Sequence, residues 1–185
     1  MLRPLIEQCQ RGNAFAQRRL YDQYVNRLHR VSLRYVKEET DAEDLLMTAF
    51  LKIFRNLPSF TYRDDAGVEA WMRRIVVNEA LLHLRSERTI PQFQKDKLTV
   101  EPVDDAQLPD GELDAEQIYE FIRELPPGYR TVFNLYAIEG YTHREIAAQL
   151  QISENTSKSQ LSKARALLQN WLTTHGYERT TRQTF

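Results

Sequence analysis

The sequence predicts an all-α protein: two small helical domains joined by an acidic flexible linker, with a helix-turn-helix in the second. Three observations lead there. Apolar residues recur at steps of three and four over most of the chain, the period of helices buried on one face. That period breaks across residues 91–112, where Pro91, Pro102 and Pro109 stand among acidic residues. Beyond the break, Tyr141 to Arg165 reads as two helices separated by three residues.

Leu2, Leu5, Ile6 and Cys9 lie on one side of a short first helix that ends at Gly12. Asn13 is placed to cap the next helix, in which Leu20, Tyr24, Leu28, Val31 and Tyr35 form one stripe. Thr40 to Glu43 has the spacing of a capping box, and Asp41 complements the dipole of the helix behind it. Ala42, Leu45, Leu46, Ala49, Phe50, Ile53, Phe54 and Leu57 are then the core stripe, which Pro58 stops. Asp44, Met47 and Leu51 run down a different side of that helix. They are either scattered surface apolars beside an acid or a docking surface for another protein.

Residues 59–68 read as a loop containing Phe60 and Tyr62. Glu69 to Glu87 is predicted helical, with Trp71, Met72, Ile75, Val76, Ala80 and Leu82 mostly inward. Arg74, Asn78, Leu81, Arg85 and Arg88 fall on another line. Basic groups beside Phe60, Tyr62 and Trp71 suit a single-stranded nucleic acid, whose bases stack on rings while arginines hold phosphates. A solvated amphipathic helix is the plainer reading.

The linker follows. Residues 91–116 carry 2 Lys/Arg against 8 Asp/Glu, whereas residues 1–90 carry 15 against 12 and residues 117–185 carry 8 against 6. The overall net charge of −1 thus hides two mildly basic ends. Helices resume over Asp114 to Leu125. Pro126-Pro127-Gly128 is expected to turn, Tyr129 to Glu139 to be helical, and Gly140 to lead on. Thr142 and Glu145 make a second capping box, and Ser153 is placed to cap the last helix. There Leu161, Ala164 and Leu168 form the buried stripe, extended by Leu167, Trp171 and Leu172. Asn155, Lys158, Ser159, Ser162 and Lys163 face outward, an amide, hydroxyl and ammonium set suited to a DNA major groove. The tail from Gly176 is polar. The expected organisation is a first domain over residues 1–90, a linker over 91–112, a second domain over 113–175 and a tail over 176–185.

Cys9 stands alone and His29, His83, His143 and His175 form no ligand pair, so neither a disulfide framework nor a metal site is expected. No apolar run reaches the ~20 residues of a membrane span, and the start lacks the apolar core of a signal peptide. A cytoplasmic protein is the expectation. No nucleophile–base set or carboxylate cluster suggests an enzyme, and no cofactor is expected.

Together these blocks resemble the sigma-70 family of sigma factors, specifically the small extracytoplasmic-function group, from about Asn13 to Trp171. Asp41-Ala42-Glu43-Asp44-Leu45 with Phe50-Leu51-Lys52-Ile53-Phe54 is similar to the family's polymerase-docking helix. Ala70 to Ala80 is similar to the helix that melts and reads the −10 element, and Ile152 to Arg165 to the −35-reading helix. The resemblance implies that Asp41, Asp44, Met47 and Leu51 bind core RNA polymerase. It implies that Phe60, Tyr62, Arg74, Asn78, Arg85 and Arg88 act on −10 DNA, and Arg144, Asn155, Lys158, Ser159, Ser162 and Lys163 on −35 DNA. It also implies promoter DNA as a partner, an anti-sigma factor as regulator, and a linker in the RNA exit path.

The chain departs from the family in places. Met47-Thr48 stands where the family often has Gln followed by an acid. Gln151 replaces a common turn glycine, at a cost if the backbone there is left-handed. Ser157 and Gln160 replace a frequent Val and Arg. The rival readings are a two-domain helix-turn-helix regulator that binds operators without polymerase, and a nucleic-acid enzyme.

Overall fold

The computed structural model describes residues 1–86 and 115–175, and all regular structure among them is helical. Contacts divide the chain between Ser86 and Glu87. The expected linker, Arg88 and the tail lie outside the described residues.

In the first unit, α1 (Arg3–Gln10), α2 (Ala14–Leu33), α3 (Glu39–Asn56) and α4 (Asp65–Ser86) follow one another, with a 3-10 turn at Leu57–Ser59. Gly12 ends α1 at φ +78, a conformation that costs any residue with a Cβ, and Asn13 N–H closes back on Gln8 O at 3.1 Å. The Asn13 side chain caps α2 by accepting from Ala16 N–H at 3.0 Å.

α3 departs from expectation at its start. It begins at Glu39 with Glu38 as N-cap and no side-chain cap bond, so Thr40 lies inside the first turn and makes no capping box. Ala42 N–H reaches Glu38 O at 3.1 Å, and the helix simply starts two residues further back. Glu39 and Asp41 in that first turn favour the extension by meeting the positive helix end. α4 likewise begins before the expected Glu69, because the Asp64 carboxylate accepts Gly67 N–H at 2.6 Å and nucleates a turn there.

α2, α3 and α4 pack pairwise, while α1 lies against α2 and the 3-10 turn. The interior holds Leu20, Leu28, Ala42, Ala49, Ile53, Met72, Val76 and Ala80, all nearly or wholly removed from solvent. Burial of each large aliphatic chain contributes about 1.5–3 kcal/mol. The expected stripe of α3 is the buried one. In α4, contact with both α2 and α3 widens the buried arc to include Val77, Leu81 and Leu84. Leu81, placed on the basic line by its spacing, is therefore inside. Leu82, expected inward, is 46% exposed.

The second unit comprises α5 (Ala115–Glu124), α6 (Pro127–Phe133), a π-helical stretch Asn134–Ile138, α7 (His143–Leu150) and α8 (Glu154–Thr174). Pro127 and Gly128 start α6 instead of forming the expected turn, since proline is tolerated at a helix start, where its missing N–H costs nothing. The helix beyond becomes π-type: Glu139 N–H bonds Asn134 O at 3.0 Å and Tyr141 N–H bonds Leu135 O at 2.9 Å, past Gly140 at φ +76. α8 packs on α5, α6 and α7, with Leu161, Ala164, Leu168 and Leu172 buried. Among the described residues no helix is long and apolar enough to cross a membrane.

Candidate functional site

The Thr142 capping box forms as expected. Its hydroxyl accepts Glu145 N–H while the Glu145 carboxylate accepts Thr142 N–H at 2.8 Å. α7 ends on Gln151, left-handed at φ 55 and ψ 41, with Ile152 N–H returning to Ala147 O at 3.1 Å. Ser153 caps α8 by accepting Thr156 N–H at 2.9 Å. The two helices are thus joined by Gln151–Ser153, a turn of three residues.

Asn155, Lys158 and Ser159 are exposed on the first turns of α8, and Ser162 and Lys163 are half-buried beside them. Arg144 is exposed on α7. Ala166, one turn past Ser162, is buried, so the polar face is confined to the start of the helix. Ser157 and Gln160 are buried and belong to the interior. Ser157 Oγ lies 2.9 Å from His143 Nδ1, tying the start of α7 to α8. The His143 ring stacks on Tyr136 at 4.5 Å, and the Arg165 guanidinium lies 5.8 Å from the Tyr136 ring centre. Burial lowers the His143 pKa below its ordinary value, and the Lys158 and Arg165 charges push the same way. Burial first, and the two basic side chains second, thus disfavour the charged imidazole beneath the polar face.

In the first unit, Asp44, Met47 and Leu51 are exposed together on α3, Met47 and Leu51 each at 66%. Asp41 is half-buried, 3.9 Å from His83 Nε2. This apolar pair beside an acid is not covered by the rest of its unit.

On α4, Arg74, Asn78 and Arg85 are exposed, and Arg88 is outside the described residues. Leu82 and the half-buried Trp71 and Ile75 share that side, so the face mixes cations with apolar groups. The aromatic loop folds onto it. Phe60 packs on Trp71 with ring centres 4.4 Å apart. Tyr62 instead donates its hydroxyl to Asp65, while the Arg3 guanidinium sits 5.1 Å from its ring centre. That hydrogen bond holds the Asp65 carboxyl below the usual carboxylate range and raises the Tyr62 hydroxyl. The sequence already set Trp71 beside this basic face with Phe60 and Tyr62, although the resemblance assigned it no −10 role, and it gave α1 no part in the site. Nothing local in the sequence marked the contacts of α1 with the loop.

The family model described as Sigma-70 region 2 matches residues 20–90, and Sigma-70 region 4 matches residues 115–168. The chain is 32% identical over 159 residues to the ECF RNA polymerase sigma factor SigM of Mycobacterium tuberculosis, covering 85% of this chain and 77% of that protein. It is 28% identical over 169 residues to the ECF RNA polymerase sigma factor SigE of Mycolicibacterium smegmatis, covering 86% of this chain and 62% of that longer protein. The solved structure of CnrH in complex with the cytosolic domain of CnrY matches in fold, with a TM-score of 0.50 and 24% identity over 93% of this chain and 97% of that one.

Proposed function

The chain belongs to the extracytoplasmic-function group of the sigma-70 family, and on that premise we propose that it binds core RNA polymerase and directs transcription from promoters with paired −35 and −10 elements. The observation that carries the reading is the pair of matched regions in order, each presenting an exposed face suited to its part. An operator-binding regulator needs the helix-turn-helix but has no use for region 2, so that rival is not favoured.

Asp41, Asp44, Met47 and Leu51 of α3 are assigned to core polymerase. Met47 and Leu51 bring apolar area to be desolvated, and the acids bring orientation and faster encounter. Arg74, Asn78, Arg85 and Arg88, with Phe60, Tyr62 and Trp71, are assigned to the opened −10 strand. Rings take bases by stacking, worth about 1–3 kcal/mol each, and cations hold the backbone. Arg144, Asn155, Lys158, Ser159, Ser162 and Lys163 are assigned to the −35 duplex. Asn155 can pair with adenine through two bonds, whereas Lys158 is a point charge suited to a phosphate.

The acidic stretch over 91–112 is assigned to the RNA exit path, where its charge would occupy a channel built for nucleic acid. The protein acts in the cytoplasm by placing polymerase and performs no chemistry itself. An anti-sigma protein that covers these faces is the proposed regulator. The test is run-off transcription by core polymerase on genomic fragments with and without this chain. Discrete new start sites that depend on the chain are expected. Tight operator binding by the free chain, with no effect on polymerase, would overturn the reading.

A further inference from the structure

We infer, resting on the sigma-factor reading above, that α1 is a brace setting the geometry of the −10 loop, and that Gln10 is a positioning residue for capture of the −10 strand. α1 precedes residue 20, where the region 2 match begins. Its apolar side, Leu5, Ile6 and Cys9, is buried, which accounts for its packing. That packing leaves the polar groups at its two ends unexplained.

At the C-terminal end, the Gln10 amide nitrogen donates to Leu57 O at 3.1 Å and to Phe60 O at 2.7 Å. A side-chain amide has two such hydrogens, and both are spent on carbonyls at the start of the loop. At the N-terminal end, Leu2 N–H donates to Asp65 Oδ1 at 2.8 Å, and Arg3 lies over the Tyr62 ring. Asp65 is also the acceptor for the Tyr62 hydroxyl. From residue 2 to residue 10 a helix rises about 12 Å. One short helix is therefore fastened to both ends of the segment 57–65.

The fastening has a consequence for Phe60. Its carbonyl is fixed by Gln10 while its ring rests on Trp71. A loop held in this way reaches the strand already shaped, and binding does not have to order it. Without Gln10 the start of the loop keeps the Trp71 contact but loses its register, and discrimination among −10 bases falls.

The experiment is transcription by reconstituted holoenzyme from a promoter library randomised through the −10 element. Gln10→Ala and Gln10→Glu remove both donors, the second at unchanged length. Each is expected to flatten the −10 preference about threefold to tenfold, with core affinity and −35 preference unchanged. Gln10→Lys, whose ammonium still donates to carbonyls, is expected to restore much of the preference. Leu5→Ala serves as a packing control: it lowers the melting temperature and leaves the preference intact below it. An unchanged −10 profile in Gln10→Glu, or a flattening equally produced by Leu5→Ala, overturns the proposal. Failure of the wild-type chain to direct core polymerase at all is a different result, and it would overturn the family reading instead.

Discussion

Lys52 on α3 and Glu79 on α4 are joined by a 2.6 Å ion pair in which the carboxylate is nearly buried and the ammonium is partly exposed. The pair ties the helix assigned to polymerase to the helix assigned to −10 DNA, and Glu79 directly follows Asn78. Removing the lysine would leave a carboxylate in a low-dielectric site with no cation beside it. Lys52→Ala is expected to cost the first unit about 1 kcal/mol, the value being held down by solvent around the ammonium. That corresponds to a fall of roughly 4–8 °C in melting temperature for a domain of this size. Thermal melts of the wild type and Lys52→Ala check it; an unchanged midpoint would show the pair to be energetically idle.

Asp44→Arg combined with Leu51→Glu should abolish co-purification with core polymerase while leaving helicity and melting temperature near wild type. Both side chains are exposed, and surface changes of this kind stay within about 0.5 kcal/mol. Retained core binding would remove α3 from the interface.

Asn155→Ala should relax preference at one −35 position and spare the others, a loss of about 1–3 kcal/mol of discrimination there. Lys158→Ala should weaken all −35 sequences alike and lower the salt slope by about one. Transcription from a library randomised through the −35 element separates the two. A uniform fall in Asn155→Ala would mean that this residue reads no base.

The His143 pKa is lowered in the fold from the ordinary imidazole value of 6.5, so the unfolded chain takes up the proton first as pH falls. Stability of the second unit should therefore be flat above neutrality and decline as pH drops through about 6.5, levelling below the folded pKa. Thermal melts between pH 5 and 8 measure this. His143→Gln should remove most of the decline, and an undiminished decline in that variant would place the titration elsewhere.

Much of the fold could be read from sequence wherever one helix meets one neighbour. The stripe of α3, the caps at Asn13, Thr142 and Ser153, and the three-residue turn are all local or strictly periodic, and each is observed. For Gln151 the sequence showed only that a left-handed backbone there would carry a cost, and the structure has one at φ 55. Reading failed where an outcome depended on two neighbours or on distant groups. Leu81 and Leu82 exchange the roles their spacing suggests because α4 is buried along a wide arc. Thr40 has capping spacing, yet the acids around it allow the helix to start earlier. The brace formed by Gln10 spans 47 to 50 residues of sequence, and no local pattern carries such a contact. For the candidate site, helix faces were foreseeable, whereas the stacking of Phe60 on Trp71 required the loop path.

The π-helical stretch at Asn134–Ile138 also bears on how the chain can change in length. A π turn holds one residue more than an α turn between the same hydrogen-bonded groups. Glu139 to Asn134 and Tyr141 to Leu135 are each one step longer than the α-helical equivalents. Ala137, exposed within this stretch, is the residue whose deletion would turn both into regular spacings. α7 and α8 would keep their places beyond an ordinary glycine-ended helix. A single-residue deletion within Asn134–Ile138 would then be absorbed where it occurs. The Gln151–Ser153 turn has no such slack, and a length change there would rotate α8 out of register with α7.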